Sequence, residues 1–250
     1  MKKNTKIKAE KIAFNFIKKA VRKPFVSVII AAGGNSTRMG DINKLFAEIS
    51  GVPVLAITIS AFNSSKYIDE IIVVANENDI VAAARLCETY SFTKVKKIIK
   101  GGDTRLLSVY NGVSEVSDNA EIVAIHDGAR PFIADGIIKA AVDAAGQYGA
   151  AAPAVPVKDT IKKAADGFVS ETPDRSRLFA IQTPQVFDAG LIKAALYNAV
   201  EKKLKVTDDC SAVEAIGGKV KLVEGSNDNI KITTPEDLVI GEAIFNMEDK

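Results

Sequence analysis

Seven consecutive residues, Val26–Ala32 (VSVIIAA), run straight into Gly33-Gly34. A short apolar run, rich in β-branched residues and cut off by two glycines, reads as a strand buried on both faces that ends in a tight loop. Its core, Ser27–Ala31, is echoed by further strand-like runs at Glu70–Ala75, Ile122–Ile125, Ala151–Val157 and Val220–Val223. Between them lie Ala-rich stretches of helical composition such as Ile80–Tyr90 and Gly136–Tyr148. This alternation predicts an α/β fold, with a mostly parallel twisted sheet, helices on both faces and ligands at the carboxyl ends of the strands. At 250 residues, with 47% hydrophobic and 26% charged, the chain has enough apolar mass for one large core and the composition of neither a disordered nor a fibrous protein. No run reaches the roughly 18 apolar residues of a membrane span. Cys87 and Cys210 are far apart and no secretory signal is visible, so the expected compartment is the reducing cytoplasm.

The net charge of +2 is unevenly spread. Residues 1–23 carry nine Lys or Arg against the single acid Glu10, a net +8, which leaves −6 on residues 24–250. A nucleic-acid role for the acidic main domain is therefore not expected. Phe14, Ile17 and Val21 recur at helical spacing in the basic head, before Pro24. Two readings stand for it: a solvated or packed extension, or a basic amphipathic helix that touches an anionic membrane or a nucleic acid.

Lys158–Ile181 breaks the α/β rhythm. Thr160–Lys163 and Phe168–Glu171 flank Ala165-Asp166-Gly167, the pattern of a β-hairpin with a glycine turn. So small and polar an arm has little to bury by itself, and is expected to lean on another subunit or fold over a ligand.

The first loop, Ala32-Gly33-Gly34-Asn35-Ser36-Thr37-Arg38-Met39-Gly40, is followed by Lys44. Small residues after a buried strand let backbone N–H groups approach an anion, and Arg38 and Lys44 place two cations where charge would build on a transferring phosphate. Neither G-x-x-x-x-G-K-[ST] nor G-x-G-x-x-G is present, so a Walker-type ATPase and a dinucleotide dehydrogenase are not supported. A tight turn beside a surface arginine is the plainer alternative.

Further strings follow in order: Gly101-Gly102-Asp103-Thr104-Arg105 with Ser108, His126-Asp127-Gly128-Ala129-Arg130-Pro131-Phe132, Thr172-Pro173-Asp174-Arg175, Thr183-Pro184-Gln185, Thr207-Asp208-Asp209 and Asn229-Ile230-Lys231-Ile232-Thr233. Together with the first loop they closely resemble the 2-C-methyl-D-erythritol 4-phosphate cytidylyltransferases, over about residues 26 to 245. The resemblance implies a Rossmann-like nucleotidyltransferase that moves CMP from CTP to the polyol phosphate with release of pyrophosphate, aided by Mg²⁺ or a similar divalent ion. It implies that Ala31, Ala32, Gly33, Gly34, Gly101, Gly102, Asp103, Ser108, Asp127 and Gly128 bind the nucleotide, and that Asp127 also holds the metal. It places Asp127, Arg130, Thr160, Arg175, Thr183, Thr207 and Lys231 at the sugar phosphate, and assigns Arg38, Lys44, Arg175 and Lys231 to catalysis. It also implies a homodimer in which the arm, residues 158–181, carries Arg175 and Thr160 into the neighbour's site. For Asp127 the alternative is a helix N-cap after Pro131.

The loop departs from the family by one residue more before Arg38 and one fewer before Lys44, with Asn43 for the usual proline and Ser36 for a glycine. His126, the single histidine, precedes Asp127 on a strand, so alternation points it away from the Asp127 side and favours a structural role over that of a base. Cys87 and Cys210 read as small core residues rather than nucleophiles. Asp208-Asp209 invites a metal reading, which the absence of any D-x-D weakens. Ribitol 5-phosphate cytidylyltransferases share the architecture, but Asp127-Gly128-Ala129-Arg130 lies nearer the methylerythritol type. A non-catalytic nucleotide-binding protein would have no reason to keep Arg38, Lys44, Arg175 and Lys231 together.

Overall fold

The computed structural model describes residues 23–34 and 43–248. Residues 1–22 of the basic head and most of the first loop, Arg38 with it, lie outside the described residues.

In chain order the elements are β1 (Val26–Ala32), β2 (Glu48–Ile49), β3 (Val52–Pro53), α1 (Val54–Ser64), β4 (Glu70–Ala75), α2 (Ile80–Thr89), β5 (Val95–Lys100), α3 (Arg105–Ser114), β6 (Ile122–Asp127), α4 (Asp135–Tyr148) and β7 (Ala150–Pro156). They continue with β8 (Lys163–Ala165), β9 (Phe168–Glu171), β10 (Phe179–Ile181), β11 (Gln185–Asp188), α5 (Ala189–Glu201), α6 (Asp209–Glu214), β12 (Lys221–Glu224) and α7 (Pro235–Glu248). The central sheet runs β7-β11-β6-β1-β4-β5; β10 and β12 also pair with β7, and the pairs β6-β1, β1-β4, β4-β5 and β7-β12 are parallel. The expected α/β architecture is the one found.

Alternation along β1 builds both layers. Val26, Val28, Ile30 and Ala32 pack with Leu55, Ile59 and Phe62 of α1 and Ile138, Ala141 and Ala145 of α4. Ile29 faces the opposite side with Val109 and Val113 of α3, Ile192 and Leu196 of α5, and Val213 of α6. At Gly112 of α3 the helix backbone comes so near the sheet that a Cβ would lie 2.7 Å from Ile29 Cγ2 and 2.9 Å from Val74 Cγ2.

Three local features differ from the sequence expectation. β11, unanticipated, lies antiparallel between β6 and β7, pairing Gln185 with Ile125 and Val186 with both Ala124 and Ala151. β5 is equally inconspicuous in the sequence, because an edge strand that reads VKKIIK guards itself with lysines and loses the apolar signature. In the arm, the first strand is Lys163–Ala165 rather than Thr160–Lys163. The loop consists of Asp166 and Gly167 alone, both left-handed at φ 51° and 81°, and a two-residue loop of that kind forces Ala165 opposite Phe168.

Gly112→Val should lower the free energy of unfolding by about 1–3 kcal/mol through overpacking, read as a lower urea midpoint with an unchanged slope. A midpoint equal to wild type would mean that α3 has room to move off the sheet.

Candidate active site

The carboxyl ends of β1, β4, β5 and β6 open into a cavity of about 510 Å³. This is the crevice where chain order reverses, since the path leaves β1 toward β4 and β5 on one side and returns to β6 on the other. Ala31, Ala32, Gly33 and Gly34 form one wall and Lys44 reaches it from the next turn. Asn43 organises that turn: its Oδ1 accepts from Leu45 N at 3.2 Å, its carbonyl accepts from Phe46 N and Ala47 N, and its Nδ2 donates to Asp79 Oδ1 at 3.1 Å. A proline there would supply none of the side-chain bonds.

The opposite wall is Gly101-Gly102, and here glycine is required sterically. A Cβ on Gly101 would stand 2.7 Å from Ser108 Oγ, and one on Gly102 2.4 Å from Leu107 Cβ. The Ser108 hydroxyl accepts from Gly102 N at 3.1 Å and lies 3.2 Å from Gly102 O, while Thr104 caps α3 by accepting from Leu107 N. Ser108 therefore shapes the turn as well as lining the cavity beside Asp103.

Asp127, the last residue of β6, stands at the centre and is 9% exposed. The helix after Pro131 starts only at Asp135, with Ala134 at its cap, so Asp127 is not a helix cap. Its Oδ2 is 2.8 Å from Lys231 Nζ and 3.7 Å from Arg130 Nε, and its Oδ1 is 3.6 Å from Arg105 Nη2. Burial alone would raise the carboxyl, but Lys231, Arg105 and Arg130 outweigh it and hold the pKa at about 2. Lys231 is delivered by a segment sewn down on both sides. Ile232 N donates to Ala129 O at 2.8 Å, Asn229 Nδ2 donates to Thr183 O at 3.0 Å, and Asp237 Oδ2 gathers Thr233 N, Thr233 Oγ1 and Thr234 N at the start of α7.

Sequence reasoning missed Arg105 and Asp209 as site residues, although Arg105 belongs to the Gly101–Arg105 string and lines the cavity. Its Nη1 and Nη2 grip Asp209 Oδ1 and Oδ2 at 2.9 and 2.7 Å. Burial pushes the Asp209 carboxyl up and Arg105 opposes that push. The signal for the pair was the acidic doublet Asp208-Asp209, whose first member caps α6 while the second turns inward. No group of three or more His, Cys, Asp or Glu side chains suited to a metal occurs among the described residues.

His126 is fully buried on the α1 side, its ring 4.7 Å from that of Phe62. Its Nε2 lies 3.0 Å from Arg130 O, which can only accept, so Nε2 carries the proton and neutral Nδ1 accepts from Thr183 Oγ1 at 3.0 Å. Thr183 Oγ1 accepts in turn from Asp127 N at 3.1 Å. The histidine holds Arg130 and Thr183 in place, and burial pulls its pKa down to about 4. Cys87 and Cys210 are free thiols, half-buried and buried, and burial raises both.

Of the residues expected at the site, Ala31, Ala32, Gly33, Gly34, Lys44, Gly101, Gly102, Asp103, Ser108, Asp127 and Lys231 line one cavity. Gly128, Arg130 and Thr183 lie behind it: Gly128 N donates to Ala31 O, and Arg130 Nη1 donates to Asn229 O at 2.7 Å. Thr160, Arg175 and Thr207 are exposed and do not line this cavity. Arg175 donates to Lys158 O within the arm.

Because folding keeps His126 neutral, the unfolded chain binds one more proton below its ordinary pKa of 6.5, and stability present above that pH is lost as the pH falls toward 4. Urea midpoints should show the wild type losing about 1.5 kcal/mol more than His126→Gln between pH 6.5 and about 5. Parallel pH profiles for the two proteins would refute a neutral, buried histidine.

A profile of the 2-C-methyl-D-erythritol 4-phosphate cytidylyltransferase family matches residues 26–247. The chain is 52% identical over 220 residues to the protein of that name from Caldanaerobacter subterraneus subsp. tengcongensis, covering 87% of this chain and 97% of the relative. It is 46% identical over 221 residues to the one from Clostridium botulinum, covering 88% and 96%. The crystal structure of 4-diphosphocytidyl-2C-methyl-D-erythritol synthase from Anaerococcus prevotii superimposes with a TM-score of 0.80 at 36% identity, over 90% of this chain and 97% of its own. The structure of the Thermus thermophilus cytidylyltransferase gives 0.73 at 31%, over 88% and 98%. With profile, relatives and architecture agreeing across nearly all the described residues, the chain belongs to the 2-C-methyl-D-erythritol 4-phosphate cytidylyltransferase family.

Proposed function

We propose that the protein transfers the cytidylyl group of CTP to 2-C-methyl-D-erythritol 4-phosphate and releases pyrophosphate, as a step of isoprenoid precursor synthesis in the cytoplasm. The substrates come from the names of its relatives, and the observation that carries the reading here is Asp127 ringed by cations opposite two glycine turns. A phosphate oxygen of the polyol phosphate attacks the α-phosphorus of CTP, forming one P–O bond as the bond to pyrophosphate breaks. No covalent enzyme intermediate is required, because in-line transfer needs alignment and charge stabilisation. Lys44 and Arg38 hold the triphosphate and favour the departing pyrophosphate, and Lys231 draws the acceptor phosphate in, with the charge of Arg130 supporting it from behind Asp127. Cytosine and ribose take the Gly101–Asp103 turn, with Ser108 behind it.

A divalent ion such as Mg²⁺ suits this donor set. Asp127 is a hard oxygen ligand kept ionised far below neutral pH, and Mg²⁺ is commonly held by one carboxylate together with substrate phosphates. When bound, the ion neutralises triphosphate charge.

The assembly we propose is a homodimer through the arm. In a single chain Phe168 is 80% exposed and Val169 62%, apolar surface that a partner would cover. Arg175 and Thr160 would then complete the neighbour's site, and the catalytic unit is residues 24–250 with the basic head dispensable.

Lys44→Ala and Lys231→Ala should each lower kcat by ~10²-fold in a pyrophosphate-release assay with CTP, Mg²⁺ and methylerythritol phosphate. Equal turnover with ATP, full activity in excess EDTA, or preference for ribitol 5-phosphate would overturn the assignment. Mixing Arg175→Ala with Lys44→Ala subunits tests the arm, since one site of the heterodimer keeps both residues if they come from different chains. Recovery to about half the wild-type rate per heterodimer is expected, and no recovery after verified exchange would place each site within one chain.

A further inference from the structure

We propose that Arg105 and Asp209 are paired positioning residues for Asp127, fixing the rotation of its carboxylate so that one oxygen faces Lys231 and the other Arg105; the inference rests on the cytidylyl transfer proposed above. The two oxygens of Asp127 stand in different surroundings. Oδ2 meets Lys231 Nζ at 2.8 Å and Arg130 Nε at 3.7 Å, whereas Oδ1 meets Arg105 Nη2 at 3.6 Å. That same Nη2 is bonded at 2.7 Å to Asp209 Oδ2, while Nη1 holds Asp209 Oδ1 at 2.9 Å. A planar guanidinium gripped at two points has one orientation, which a lysine ammonium in its place would not have.

The clamp is built from behind. Gln185 Oε1 accepts from Asp209 N at 2.9 Å and Cys210 N at 3.0 Å, and Gln185 Nε2 donates to Asp208 Oδ2 at 2.8 Å. Asp208 and Ser211 close a reciprocal capping box around the same turn. The side chain of Asp209 is 2% exposed, so its carboxylate has no rotamer in water to escape to. Arg105 is 35% exposed and lines the cavity beside Asp127, so the held guanidinium stands at the site itself. β11, the antiparallel strand, supplies Gln185, so the clamp ties the middle of the sheet to the reacting end of β6.

The test measures Arg105→Lys and Asp209→Asn, each alone and combined with Asp127→Asn, by pyrophosphate release with CTP and methylerythritol phosphate and by crystallography. Arg105→Lys should cost ~10–100-fold in kcat with KM for CTP within about threefold, and under about threefold when Asp127 is already Asn. Equal losses in both backgrounds would overturn the proposal. A rise in KM alone would mean that Arg105 holds the triphosphate directly, which also overturns it. Where Asp127→Asn is too slow to follow, the structure of Arg105→Lys decides: an Asp127 carboxylate rotated away from Lys231 supports the clamp, and an unmoved pair refutes it. Asp209→Asn carries the same two readouts if Arg105→Lys fails to fold. An inactive wild type would count against the proposed reaction, while the crystallographic outcome still judges the clamp.

Discussion

A carboxylate almost withdrawn from water, at the end of a strand buried on both sides, is costly to keep charged. Asp127 is kept charged because three cations from three places in the chain converge on it: Lys231 before α7, Arg105 at the start of α3 and Arg130 just beyond β6. Each is itself restrained, Arg105 by Asp209, Arg130 by the Asn229 carbonyl, and Lys231 by the tethered backbone on either side of it. The attraction is strengthened because the Asp127 carboxylate itself is largely withdrawn from water. Loosening one partner therefore alters the field felt by the others.

Much of this was legible in the residues. Runs such as Val26–Ala32 and Glu70–Ala75 announced buried strands because burial on both faces leaves no polar alternation to confuse the reading. The glycines at 101 and 102 signalled a close approach, and the structure supplies the neighbours that enforce it. Parity placed His126 on the face opposite Asp127, where it meets Phe62. Other features had no local signature. β11 is a four-residue strand whose strandhood comes wholly from β6 and β7 on its flanks. The Arg105–Asp209 pair spans 104 residues, and nothing in either string names its partner. The family resemblance places Thr183 at the sugar phosphate, and nothing in its string announces that its hydroxyl also joins His126 Nδ1 to the backbone N–H of Asp127.

The site also shows how one short segment can serve several ends. Between β10 and β11 the chain crosses behind the cavity, where Gln182 Nε2 reaches Ser226 O and Thr183 O takes Asn229 Nδ2. Gln185, at the start of β11, governs the turn that bears Asp209. Gln182–Gln185 is thus buried and hydrogen-bonded along its length, a rigid support of the kind that precision at a polar site requires.

The arm departs and returns along one strand. Pro156 at the end of β7 is paired with Phe179 of β10, and just beyond them Val157 N bonds to Leu178 O. This closure makes the arm a side loop hung from a zipped base, mechanically separate from the sheet it leaves. The entropy of closing a loop grows only with the logarithm of its length, so residues can be gained or lost between Val157 and Leu178 at little cost to the core. Natural variation in this fold is thus free to concentrate in the arm while the ring of charge around Asp127 stays fixed.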